Sequence, residues 1–256
     1  MMRNQKPLVK KPNVYVYLFG GLGNNLFQVN HGLTLGAGQV FFVTNLIESR
    51  FWSQIFRWAF HEPTILKVPF LNDVQFKRIS TFLVFAHISN LIISRVLQKP
   101  VFGVSWESLI ATRVNFGYFQ DCPSESWVIK FRSKLRKEHF DHVVHLRLGD
   151  SPTLQVDVDA QIKLLNQLKH NMIYVVTNDR ASALKLLKKV NTKVAFVGGN
   201  VIDDLEIMRC SKTLIIPQST FSLIAAFSSH SLQTLYVDEK FWKLKGKECN
   251  YSVIYY

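Results

Sequence analysis

The chain has 256 residues, 48% of them hydrophobic and 19% charged, with a formal net charge of +13. That length and balance describe one or two globular domains and exclude a disordered or low-complexity chain. Three cysteines (Cys122, Cys210 and Cys249) without a C-x-x-C spacing give neither a disulfide framework nor a zinc site, and a reducing compartment is expected.

The basic start, MMRNQKPLVKKPN, is not followed by the apolar run and small-residue site of a secretory leader. The most apolar later stretch, Thr81 to Ile93, is interrupted by His87, Ser89 and Asn90. A spanning helix needs about 20 apolar residues, so no transmembrane segment is expected and the protein is placed in the cytoplasm. Residues 1–138 hold 17 basic and 7 acidic residues, and residues 139–256 hold 14 and 11. The excess charge therefore lies in the first part, without the aromatic interleaving of a nucleic-acid module. It is either ordinary basic surface or a surface for anionic lipid or phosphate, in which case contact with the inner membrane would be peripheral.

In chain order, Val14 to Phe19 reads as a buried strand ending in glycines, Leu26 to Leu35 as a helix, and Gln39 to Thr44 as a second strand. Phe82, Phe85, Ser89, Ile92 and Val96 fall on one helical stripe. Ser124 can cap a helix running to about Glu138, with Trp127, Phe131 and Leu135 on one face. Thereafter strands at Val143–Arg147, Ile173–Thr177, Lys193–Val197, Thr213–Ile216 and Thr234–Val237 alternate with helices at Asp159–Lys169, Arg180–Val190, Asp204–Cys210 and Thr220–Ser228. Such alternation calls for a parallel sheet covered on both faces. The expected architecture is α/β, with Rossmann-like domains at 1–138 and 139–256 facing a cleft.

Three motifs carry chemistry. In GGLGNN the glycines Gly20, Gly21 and Gly23 allow a sharp turn and close approach of a ligand, and Asn24 and Asn25 add amides. The spacing is neither the dinucleotide fingerprint nor a Walker loop, and a simple tight turn is the alternative. In HLRLGD, alternation puts His145 and Arg147 on one face of a strand end, with Asp150 just beyond. The planar Arg147 fork suits a pair of phosphate oxygens, and an Arg147–Asp150 pair is the alternative. In QSTFS, the hydroxyls of Ser219, Thr220 and Ser222 stand beside free helix-start N–H groups, as in an N-cap or a phosphate cradle. Upstream, Asp203 and Asp204 open a helix, where capping is the default role, although a guanine edge needs such a carboxylate. Asp157 and Asp159 look like a metal pair, but Asp159 stands where an N-cap is expected.

Taken in order, GGLGNNLFQ (Gly20 to Gln28), GYFQ (Gly117 to Gln120), HLRLGD, the Asp204 to Cys210 run with its Met208, and QSTFSLIAAF (Gln218 to Phe227) resemble the bacterial α-1,2-fucosyltransferases. More distantly, they resemble the α-1,6- and protein O-fucosyltransferases. The resemblance implies an inverting GT-B glycosyltransferase that needs no metal or other cofactor. It would move L-fucose from GDP-β-L-fucose to a glycan, in α-1,2 linkage, within bacterial surface polysaccharide synthesis. It further implies that Arg147 holds the donor diphosphate and that Asp204, Ser219 and Thr220 hold the nucleotide. The Gly20 to Asn25 loop would close over the sugar side, and no nucleic acid would be bound. Ser151, Gln218 and the Leu223–Ile224 pair depart from the family pattern. GDP-colitose as donor, or a non-catalytic glycan- or nucleotide-binding relative, are the alternatives. His145 and Asp150 are the candidates for the acceptor proton.

Overall fold

The computed structural model describes residues 13–18, 21–35, 39–44, 64–68, 74–78, 112–115, 127–131, 139–148, 158–168, 171–238 and 250–256. The chain divides into two compact units, Met1–Leu66 with Asn72–Phe119 and Lys67–Leu71 with Gln120–Tyr256. The sequence places the division near residue 138. In the structure Trp127 packs on the Phe227 ring at 6.1 Å and Arg209 stands over Phe131 at 4.5 Å, which ties 127–131 to the second unit. The apolar stripe from Phe82 to Val96 and the GYFQ motif lie outside the described residues. Among the described residues no helix is long and apolar enough to cross a membrane.

The first unit carries strands β1 (Asn13–Leu18), β2 (Val40–Thr44), β3 (Gln75–Arg78) and β4 (Thr112–Asn115), all parallel in the order β3-β2-β1-β4. Helix α1 (Leu22–Thr34) joins β1 to β2. Its Leu26, Phe27 and Val29 are buried, as are Val14, Val16 and Leu18 of β1 and Phe42 of β2. Gly32 lets helix and strand approach closely: a Cβ there would strike the Phe42 ring.

The second unit carries β5 (Phe140–Leu146), α2 (Val158–Gln167), β6 (Met172–Thr177), α3 (Arg180–Leu187), β7 (Lys193–Phe196), α4 (Val201–Arg209), β8 (Ser211–Ile216), α5 (Thr220–Phe227), β9 (Thr234–Val237) and β10 (Ser252–Tyr255). All six strands are parallel, in the order β10-β9-β8-β5-β6-β7. The chain thus starts in the middle of the sheet, runs out to β7, returns to the other side of β5 and runs out to β10. That is the strand order of doubly wound α/β sheets. Val144 and Leu146 of β5, Ile173 and Val175 of β6 and Ile215 of β8 form one core with Ile162 and Leu165 of α2 and Ala183 and Leu187 of α3. Helices α4 and α5 pack on one another and against β5 and β8. The near-continuous apolar runs of β5, β6 and β8 reflect burial on both faces.

The alternation of strands and helices expected after residue 139 is present, with shifted ends. The helix expected from Ser124 to Glu138 is not: residues 127–131 are non-helical. Ile129 and Phe131 are buried while Val128 and Lys130 are exposed, so this segment follows the period of two of an extended chain. Trp127 and Phe131 are four apart and fit either period.

Candidate functional site at the carboxyl edge of the second sheet

β5 and β8 are neighbours in the sheet, yet β5 leads toward α2 on one face and β8 into α5 on the other. Their carboxyl ends form the topological switch point, where sheets of this kind hold ligands. HLRLGD and QSTFS are the two segments that leave this point. Leu146 and Leu148 pack on the α2–α3 core, and alternation turns His145 and Arg147 to the α5 side. His145 is buried, 6% exposed, with its ring edge-on to Phe221 at 6.1 Å. Arg147 follows the last residue of β5 and is half-buried. Asp150 lies outside the described residues.

Ser219 is the N-cap of α5, in extended conformation, but its side chain makes no capping bond. The residue is 1% exposed, and its Oγ has no hydrogen-bond partner among the described residues. An orphaned buried hydroxyl costs about 1–3 kcal/mol, and the start of α5 does not take up this one. Thr220 opens α5, and the Ser222 hydroxyl donates to the Ser219 carbonyl at 3.2 Å. Ser222 therefore braces the helix start. Gln218 donates from Nε2 to Asp238 Oδ2 at 3.4 Å, linking the ends of β8 and β9.

Asp204 does not cap α4 as the sequence suggests. The helix starts three residues earlier, and Asn200 is its cap, accepting from Ile202 N at 3.1 Å and Asp203 N at 3.0 Å. Asn200 Nδ2 in turn donates to Asp203 Oδ2 at 2.6 Å. Asp204 is left half-buried within the first turn and a half, accepting from Gly199 N at 3.2 Å. Burial pushes its pKa up, the Gly199 N–H opposes this, Asp203 adds to it, and Arg180 opposes it. Gly198 and Gly199 have positive φ of 78° and 152°. Arg180 donates from Nη2 to Gly198 O at 3.1 Å and stands over the Phe196 ring at 5.9 Å.

In the first unit α1 begins at Leu22, so Gly23, Asn24 and Asn25 belong to its first turn rather than to a loop. Asn25 N donates to Gly21 O at 3.1 Å and closes that turn. Gly21 is the N-cap, with φ −72°, and a Cβ there would meet no atom of the described residues within 4 Å. Gly20 lies outside the described residues. Asn25 is buried and donates from Nδ2 to Gln28 Oε1 at 3.3 Å, one turn along the helix. Asp159 also sits inside its helix, α2, instead of capping it. Its side chain is 86% exposed, with Lys189 Nζ 3.5 Å away.

Sequence reasoning passed over Asn178, Gly198 and Gly199. The turn residues T-N-D after β6 and V-G-G-N after β7 were the signals, each at the carboxyl end of a strand.

No family model matches the chain, and no curated protein does. Solved structures do resemble it. NodZ α-1,6-fucosyltransferase soaked with GDP-fucose is 15% identical over 86% of this chain and 93% of that one, with a TM-score of 0.46. A family 9 glycosyl transferase from Veillonella parvula DSM 2008 is 11% identical over 99% and 88%, with a TM-score of 0.49. POFUT1 in complex with GDP-fucose is 10% identical over 88% and 73%, with a TM-score of 0.34.

Proposed function

We propose that the chain is a glycosyltransferase of GT-B type with two Rossmann-like domains. It moves L-fucose, or a close deoxysugar relative, from a GDP-linked donor to a glycan hydroxyl. The observation that carries this reading is Ser219: a buried hydroxyl without a partner among the described residues, at the start of α5 and at the switch point beside the end of β5 and Arg147. A diphosphate seated here would offer an acceptor to the Ser219 hydroxyl and to the helix-start N–H groups. Its charge suits the Arg147 fork. The half-buried Asp204 carboxylate, within the first turns of α4, suits the paired N–H donors of a guanine edge. The ordered motifs shared with the α-1,2-fucosyltransferases support fucose as the sugar and α-1,2 as the linkage.

In the reaction the acceptor oxygen bonds to the anomeric carbon as that carbon's bond to the β-phosphate oxygen breaks. The electron pair leaves with GDP, and the acceptor proton passes to a base, so a β-linked donor gives an α-linked product. Negative charge grows on the β-phosphate in the transition state. Arg147 and the α5 N–H groups meet it, and fixed donors of this kind contribute about 3–4 kcal/mol each. His145 or Asp150 takes the proton; the pH profile of Asp150→Asn against His145→Gln separates the two. We propose that no metal takes part. The exposed Asp159 beside Lys189 supports this, since the Asp157–Asp159 pair is the sequence's best candidate ligand set.

The test is transfer from GDP-fucose and GDP-colitose to a panel of glycan acceptors, with GDP release followed in parallel. Transfer from either donor supports the reading and names the sugar. GDP binding without transfer or hydrolysis from either would overturn the enzymatic reading in favour of a binding protein.

A further inference from the structure

At the carboxyl edge of the second sheet Asn178 carries a polar side chain that the chemistry above does not use. The last paired residues of β5 and β6 are Leu146 and Thr177. The next residue of β6's exit, Asn178, accepts from Leu148 N through Oδ1 at 2.8 Å and donates from Nδ2 to Leu148 O at 2.7 Å. A side-chain amide is chemically a peptide group, so Asn178 adds one more rung where the backbone ladder has ended. Arg147 is the residue between the last rung of the ladder and this added one.

We propose that Asn178 is the positioning residue for Arg147, fixing the backbone on its far side so that the guanidinium is presented to the donor diphosphate in one geometry. The proposal rests on the reading of Arg147 as the diphosphate ligand. Without the clamp, the chain leaving β5 gains freedom just where a bidentate contact needs an aligned fork. Both the alignment and the conformational freedom lost on binding then work against the ligand. Leu148 packs on the α2–α3 core from the same backbone, so the clamp and the core hold the exit from two directions.

The molecule contains its own control. Asn166, at the end of α2, makes the same kind of clamp at the opposite edge of the sheet. Its Nδ2 donates to Lys189 O at 2.9 Å, and its Oδ1 accepts from Asn191 N at 2.9 Å. A purely structural role for Asn178 predicts that the two asparagines behave alike.

The experiment measures GDP affinity and GDP-fucose turnover for wild type, Asn178→Ala, Asn178→Asp, Asn166→Ala, Arg147→Lys and the double variant Asn178→Ala/Arg147→Lys. Amide exchange at Leu148 is followed in the unliganded proteins. Asn178→Ala is expected to lose protection at Leu148 and to bind GDP about tenfold more weakly or worse. Asn178→Asp keeps the acceptor half of the clamp but sets a carboxylate oxygen against the Leu148 carbonyl, so it is expected to bind GDP no better than Asn178→Ala, and Asn166→Ala binds as wild type does. The double variant is expected to be no worse than Arg147→Lys, because the clamp acts through the arginine. Unchanged GDP affinity in Asn178→Ala, equal losses in the two alanine variants, or additive losses in the double variant would each overturn the positioning role alone. Failure of wild type to bind GDP would overturn the assignment of Arg147 first, and this proposal with it.

Discussion

Gly199 donates its backbone N–H to the Asp204 carboxylate at 3.2 Å, and a Cβ on the neighbouring Gly198 would run into the same carboxylate. Two positive-φ residues thus wrap a half-buried acid after β7. Gly198→Ala is expected to cost about 1–2 kcal/mol for the backbone alone, with displacement of Asp204 in addition. Gly199→Ala meets no atom of the described residues within 4 Å and carries the backbone cost. GDP affinity should therefore fall more for Gly198→Ala than for Gly199→Ala. Equal binding by both would contradict the cradle; urea unfolding and titration calorimetry check it.

Asp204 also predicts a pH dependence. Burial lifts its folded pKa above the ordinary 3.8, so just above 3.8 the folded chain keeps a proton that the unfolded chain has released. The stability this group contributes is complete below 3.8 and is lost as pH rises through the folded value. Asp204→Asn has nothing to lose in that interval. Relative to wild type it should gain stability between about pH 4 and about pH 7, while binding GDP more weakly. A stability difference that stays flat or moves the other way would contradict this, measured by urea unfolding at the two pH values.

Sequence patterning made the second unit legible because its strands are short, apolar and separated by helices with clear faces. Thr234–Val237 has the expected ends, and the other four expected strands differ by up to three residues. Helix starts were less legible, for a common reason. At α1, α2 and α4 the acid or amide expected before the helix is inside it, and at α1 and α4 the true cap is a less conspicuous residue, Gly21 and Asn200. Strands β3, β4 and β10 were missed. The sequences QFKR and TRVN carry charges and so do not read as apolar runs, and SVIY has only intermediate or exposed residues. Of the candidate site, the switch-point residues were visible as strand-end motifs. The Asn178 clamp was not, since a single amide after a strand also reads as a turn.

Arg209 and Glu206 form an ion pair at 2.6 Å, 5% and 13% exposed. Arg209 also donates from Nε to Ser228 O at 3.2 Å and stacks over Phe131. Glu206→Ala would leave a buried guanidinium without its counter-charge and is expected to cost about 3–5 kcal/mol. Replacing both, as Glu206→Leu with Arg209→Met, should return most of that loss. A single variant as stable as wild type in urea would contradict the buried pair.

At Arg147, lysine keeps the charge and loses the planar fork. Turnover with the GDP-sugar should fall at least about a hundredfold in Arg147→Lys, with the unfolding midpoint within the range of surface variants. Steady-state kinetics on the folded variant checks this, and near-wild-type turnover would remove Arg147 from the diphosphate.

The most direct measurement of the central claim is calorimetric titration of GDP, with UDP as comparison, into wild type and Ser219→Ala in excess EDTA. Wild type should bind GDP at one site without metal, with UDP much weaker. Ser219→Ala should bind GDP about tenfold more weakly, or worse, since a hydrogen bond to a charged group is worth roughly 1.5–3 kcal/mol. No GDP binding, equal affinity for UDP, binding that requires added metal, or an unchanged affinity in Ser219→Ala would contradict a GDP-sugar seated at the start of α5.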